Sequence, residues 1–191
     1  MRDDRERWER RYRERGIHSG DAPSEFLQRH RHLIPPGPVL DIAAGDGRNA
    51  LYLARHGYPV DAIDIAFAGL TRLMAIARAE QLPIGAVQAD LDDFPLPRDH
   101  YAAIVNIRFL QRALFPALKT ALRPGGVMIV ETFLIDQRTI GHPSNPAHLL
   151  DHGEIVELLR GLTMIIEEEG RFEIEGGPVY LARSVARRER D

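Results

Sequence analysis

Asp41, Gly45, Gly47 and Asp64 are two acids flanking a pair of glycines inside the stretch Val39 to Ile65, and their types and spacing could hold a ligand. Gly45 and Gly47 lack a β-carbon, so the backbone there can turn sharply and a ligand can come close to main-chain amides. Asp64 closes a second apolar run, where a carboxylate can accept hydrogen bonds from both hydroxyls of a ribose. Asp41 precedes the glycines and can hold the turn amides and, directly or through water, a ligand ammonium; it can also simply cap its own turn. Together these residues suit an adenosine-containing cofactor at the carboxyl ends of parallel strands.

The flanking pattern supplies the elements that must position them. Val39, Leu40 and Ile42, with Asp41 inside the run and Pro35-Pro36-Gly37-Pro38 ahead of it, read as a buried parallel strand. Leu51, Tyr52, Ala54 and Arg55 continue into a helix that His56-Gly57 stops. A second strand, Val60 to Ile63, delivers Asp64. A helix over Phe67 to Gln81, a strand over Ile84 to Gln88 and the turn Ala89-Asp90-Leu91 follow; Asp92 and Asp93 read as solvated loop charges. Tyr101 to Asn106 is a fourth strand, and Val127 to Val130 a fifth, entered through Leu122-Arg123-Pro124-Gly125-Gly126. Strands alternating with helices predict a parallel sheet covered on both faces. After a Pro-, Asn-, His- and Gly-rich stretch, Leu134 to Leu150, a helix over Asp151 to Arg160 capped by Asp151 is expected. Two last strands, Thr163 to Glu168 and Val179 to Val185, are separated only by Gly170 to Gly177. That is too short for a parallel crossover, so the final strand should run antiparallel.

The chain has 191 residues, enough for one domain with a substantial core. Residues 1–34 read as amino-terminal helices and 35–191 as the core of that single domain. Ser24 is a good amino-terminal cap for a helix to about Leu33, with a hinge over Gly16 to Asp21 ahead of it. Trp8 and Tyr12 share one face of the first helix; that helix either packs through the two rings or folds as a lid. A net charge of −3 argues against a nucleic-acid surface. There is no cysteine, which excludes disulfides, thiolate metal sites and a cysteine nucleophile. No apolar stretch approaches the roughly 20 residues of a membrane span. The amino terminus lacks the apolar core of a signal peptide, so a cytoplasmic location without membrane or nucleic-acid partners is expected.

Gly45-x-Gly47-x-x-Ala50 with Asp64 downstream also satisfies a dinucleotide fingerprint, which leaves an NAD-dependent oxidoreductase open. Asp41-x-Ala43-x-Gly45-x-Gly47, however, resembles the first motif of class I S-adenosylmethionine-dependent methyltransferases, and a carboxylate there would oppose a pyrophosphate. The acid after the third strand, Asn106 at the end of the fourth and Leu122-Arg-Pro-Gly-Gly126 before the fifth are similar to later motifs of that family, in order. Nearly the whole chain is similar to its tellurite-resistance-type branch, through Trp8-x-x-x-Tyr12-Arg13, Gly45-x-Gly47-Arg48-Asn49-x-x-Tyr52-Leu53-Ala54 and Asn145-Pro146-Ala147-His148-Leu149-Leu150 followed by Gly153-Glu154. It departs from the branch at Ala43-Ala44, where many members carry a bulkier residue or a cysteine.

The resemblance implies an α/β, Rossmann-like, doubly wound seven-stranded sheet in the order 3-2-1-4-5-7-6 with the last strand antiparallel. It implies S-adenosyl-L-methionine as cofactor, held by Asp41, Ala43, Gly45, Gly47, Asn49, Asp64, Ile65, Asp90, Leu91 and Asn106. The implied reaction is in-line displacement at the sulfonium methyl by a small-molecule acceptor, a soft nucleophile or an oxyanion among the options. The acceptor pocket is expected between the end of the fourth strand and the Leu134 to Leu150 loop, roofed by the amino-terminal helix. There Arg108 would bind an anion, Tyr12 would close the methionine end of the cofactor, and His142 would act as base for an amine or hydroxyl. His148 and His152 read as loop or cap residues rather than metal ligands. A domain that binds the cofactor without turnover is a further alternative.

Overall fold

The structure is a computed structural model that describes residues 2–14, 22–92, 94–174 and 176–190; the expected hinge and Asp93 lie outside them. Its strands are β1 (Val39–Ile42), β2 (Val60–Asp64), β3 (Ile84–Gln88), β4 (Tyr101–Ile107), β5 (Leu122–Phe133), β6 (Thr163–Ile174) and β7 (Gly177–Arg187). Its α-helices are α1 (Arg2–Glu14), α2 (Glu25–His30), α3 (Arg48–Arg55), α4 (Phe67–Ala79), α5 (Phe115–Ala121) and α6 (Glu154–Leu158). The strands form one seven-stranded sheet in the order β3-β2-β1-β4-β5-β7-β6. Neighbours from β3 to β5 pair in parallel, and β7 runs antiparallel to both β5 and β6. The architecture, order and reversed last strand are those the sequence implied.

Each face of the sheet has its own apolar layer, as a doubly wound fold requires. On one face Phe26 and Leu27 of α2, Ala50 and Leu53 of α3 and Leu73 of α4 pack over Val105 and Ile129. On the other, Phe115 and Leu118 of α5 and Ile155 of α6 pack over Leu40, Ile42, Ile104 and Met128. Being central, β1 is buried along its whole length, including Asp41. Among the described residues no helix is long and apolar enough to cross a membrane.

Local chemistry accounts for the boundaries. The Ser24 hydroxyl accepts from the Leu27 amide at 3.3 Å and caps α2 as expected; a 3-10 turn over Arg31–Leu33 extends it. The expected capping by Asp151 is corrected: α6 starts three residues later, with Gly153 at its amino-terminal cap (φ 74°). There the Glu154 carboxylate reaches back to accept from the Asp151 amide at 2.9 Å, so the acid that serves the helix end is Glu154. Strands β6 and β7 run well past the expected limits. β6 is an edge strand whose residues alternate between half-buried and exposed, so its Glu- and Arg-rich run faces water on one side.

Candidate cofactor and acceptor site

The loop between β1 and α3 brings Asp41, Ala43, Gly45, Gly47 and Asp64 together. Ala43 (φ 52°), Gly45 (φ 62°) and Gly47 (φ 86°) are all left-handed, and at Ala43 a side chain tolerates that strained conformation. The two acids divide the work differently from the expectation. It is Asp64 that holds the turn: Oδ2 accepts from the Gly45 amide and Oδ1 from the Ala66 amide, each at 2.8 Å. A carboxylate has about four acceptor positions, so both oxygens retain capacity for a diol. Burial raises the Asp64 pKa against the pull of these amides.

Asp41 is 1% exposed and takes the Ala50 amide of α3, while its Oδ2 has no hydrogen-bond partner. Burial pushes its carboxyl up to about 7, opposed by the nearby Arg48 guanidinium and the Ala50 amide. Asp41 thus leaves one buried carboxylate oxygen unsatisfied beside the glycine turn, a group whose cost a cationic partner would offset.

Helix α1 lies across this loop. A β-carbon at Gly45 would stand 2.3 Å from the Tyr12 hydroxyl, so the space left by that glycine is occupied by this ring. Trp8 and Tyr12 stack at 5.9 Å, as their spacing predicted. Glu9, unremarked in the sequence, accepts from the Ala68 amide at 3.1 Å. Helix α4 has no side-chain cap of its own, since Ala66 occupies that position, and Glu9 supplies one from α1. Gly47 is demanded by packing within the chain, because a β-carbon there would meet the Leu73 side chain at 2.3 Å.

The remaining candidates divide. Ile65 and Asp90-Leu91 follow the adjacent ends of β2 and β3, tied by the Ala89 amide to the Asp64 carbonyl at 3.1 Å. The Asp90 Oδ1 accepts from the Asp92 amide at 3.1 Å, and Leu91 is buried in the second apolar layer. The Asn49 Oδ1 accepts from the Ser24 amide at 3.0 Å and so ties α3 to the start of α2. Asn106 pairs in register with Ile42 and so faces the opposite side of the sheet from Asp41; its Oδ1 is buried without a partner.

Beyond β4 the chain turns at Arg108, which has a left-handed φ of 63°. Its Nε donates to Glu131 Oε1 at 3.1 Å, and Arg183 of β7 donates its Nε to Glu131 Oε2 at 2.8 Å. Register explains the meeting, since Ile107 and Arg183 both lie opposite Glu131 on the neighbouring strands. Burial foremost lowers the Arg108 pKa, with Glu131 opposing and Arg48 and Arg183 adding to the fall. The Arg108 guanidinium stacks over Phe133 at 4.6 Å and that of Arg183 over Phe172 at 4.0 Å. Sequence reasoning missed Glu131 and Arg183. A single acid inside Val127-Met-Ile-Val-Glu131 and a single base inside Val179-Tyr-Leu-Ala-Arg183 were the available signals.

The Leu134–Leu150 loop closes on itself through a parallel bridge between those two residues. His142 and His148 are exposed in it, and His142 is engaged through its carbonyl, which accepts from Gln137 Nε2 at 3.1 Å. His152 lies between Asp136, 2.7 Å from its Nε2, and Glu169, 3.1 Å from its Nδ1. Both acids raise its pKa.

A family model described as a methyltransferase domain matches residues 39–126, the span from β1 to the turn inside β5. Among curated proteins, the chain is 34% identical over 104 residues to hemagglutinin 1 of Eikenella corrodens, covering 51% of this chain and 34% of that protein. The chain spans about half or less of the length of the curated relatives it matches first. Among solved structures, TehB from Haemophilus influenzae superposes with a TM-score of 0.74 at 21% identity, over 95% of this chain and 66% of that one. The Burkholderia thailandensis 1,6-didemethyltoxoflavin-N1-methyltransferase, with bound 1,6-didemethyltoxoflavin and S-adenosylhomocysteine, does so with a TM-score of 0.74 at 19% identity, over 97% and 87%. At these identities the likeness is one of fold.

Proposed function

We propose that this chain binds S-adenosylmethionine at the β1–α3 loop and transfers its methyl group to a small-molecule acceptor, a soft nucleophile or an oxyanion among the options. The observation that carries the reading is the orphaned, fully buried Asp41 Oδ2 beside the left-handed glycine turn, within the span that matches a methyltransferase domain. When bound, the cofactor supplies an electrophilic methyl group on a sulfonium.

The chain's own residues bind and position. Ionised Asp41 would face the ammonium, and Asp64 would add two ribose hydroxyls to the amides it already holds. Ile65 and Asp90-Leu91 would border the adenosine from the ends of β2 and β3. Tyr12 would cover the methionine end and exclude water, its hydroxyl already lying against Gly45. Arg108 would hold the acceptor, and His142 would serve as base only if that acceptor needs one. The fold shared with TehB is compatible with the tellurite-resistance-type branch, as a proposal.

Calorimetry separates the readings. S-adenosylmethionine and S-adenosylhomocysteine should bind, and NAD should not displace them. Asp64→Ala should weaken binding by about 1.5–3 kcal/mol, the range for hydrogen bonds to a charged group. NAD binding in their place would overturn the proposal.

A further inference from the structure

Two arginines share one carboxylate on the face of the sheet that carries Asp41, and each spends on it only part of its guanidinium. Glu131 and Arg183 are 2% and 5% exposed. Each arginine spends only its Nε on Glu131. No described residue accepts a hydrogen bond from the terminal amino nitrogens of either guanidinium, and none of those nitrogens is sealed from solvent. Arg48 lies near enough to depress the Arg108 pKa, while its own charge is met by Asp41. Guanidinium donors left without an acceptor in a largely buried place are costly, and an anion satisfies them.

The geometry narrows the anion. Phe133 lies against the Arg108 guanidinium and Phe172 against that of Arg183, and the terminal edges remain to bind. An arginine edge matches a planar carboxylate through two parallel N–H···O bonds. Phe133 and Phe172 are themselves only half-buried, so apolar ring surface borders the cationic edges.

We propose that the acceptor is an organic carboxylate, held by the free edges of Arg108 and Arg183 with its apolar, planar body against Phe133 and Phe172. The word acceptor rests on the methyltransferase reading; the anion site itself can be tested apart from it.

The probes are benzoate, its neutral analogue benzamide and the small inorganic oxyanion selenite, titrated calorimetrically into the full chain with and without S-adenosylhomocysteine. Benzoate is expected to saturate, with benzamide and selenite each at least tenfold weaker. Arg108→Gln should weaken benzoate at least tenfold while S-adenosylhomocysteine affinity stays unchanged, whatever stability is lost with the Glu131 contact. Arg108→Lys, which keeps charge but not the fork, should fall between. Because Arg183 is buried, the partly exposed Arg108 provides the deciding variant. Equal binding of benzamide, indifference to Arg108→Gln or a lack of saturation would overturn the site. Selenite binding as tightly as benzoate would overturn the apolar body. Benzoate binding that depends on Arg108, in a protein that fails to bind S-adenosylhomocysteine, would sink the methyltransferase reading and uphold the anion site.

Discussion

Replacing Asp41 by Asn tests whether the β1 carboxyl is maintained at a cost to the fold. Burial moves this group from 3.8 to about 7, and the residue is almost fully sealed from water. The sign follows from proton linkage. In the unfolded chain the acid ionises near its ordinary value, whereas the folded chain keeps the proton until about pH 7. The native state therefore binds more protons between those limits, so stability falls as pH rises through the window and levels off above it. At roughly 1.4 kcal/mol per pH unit, the loss from this one group approaches about 4 kcal/mol at pH 8. Asn resembles the protonated acid in shape and hydrogen bonding, yet it cannot ionise. The stability gap between Asp41→Asn and the wild type should therefore widen by about 4 kcal/mol in the variant's favour from pH 4 to pH 8. Urea unfolding at closely spaced pH values measures it directly, since each protein serves as its own reference across the series. The variant should at the same time lose affinity for S-adenosylhomocysteine, because the ammonium partner is gone. A gap that stays flat within about 1 kcal/mol would refute the desolvated-carboxyl argument.

Glu9→Ala removes the cap that α1 lends to α4 and should cost about 1 kcal/mol, with faster hydrogen exchange at the Ala68 amide in NMR. Gly69→Ala would put a β-carbon 2.6 Å from the Gly45 carbonyl oxygen, a backbone atom that cannot swing aside. It should destabilise by about 1–3 kcal/mol and weaken S-adenosylhomocysteine binding in calorimetry. The control Gly141→Ala, with open space around it, should stay within about 0.5 kcal/mol. His142 as base predicts that His142→Ala loses most of the turnover while S-adenosylmethionine affinity in calorimetry is kept; undiminished turnover would remove the residue from the mechanism.

What could be read from sequence divides by the range of the interaction that decides it. The β1 turn was legible because glycines with left-handed φ, apolar strands and a strand-ending acid are local signals, and Gly45, Gly47 and Asp64 stand where those signals placed them. Strand β6 was half read, to Glu168, because Glu169, Arg171 and Glu173 look like loop until one face of an edge strand is allowed to meet water. Asn49 and Gly47 also meet Ser24 and Leu73, partners that only the folded chain supplies and that no local motif announces. The charges around Arg108 were the least legible. Glu131 and Arg183 lie 52 residues apart, and the antiparallel register of β5 and β7 brings them opposite each other. A one-residue slip in that register would put Arg183 on the other face of the sheet and leave Glu131 without it. The long hairpin of β6 and β7 therefore does more than complete the sheet: it brings Arg183 to Glu131 beside the end of β4, at a point where motifs around the glycine turn carry no information.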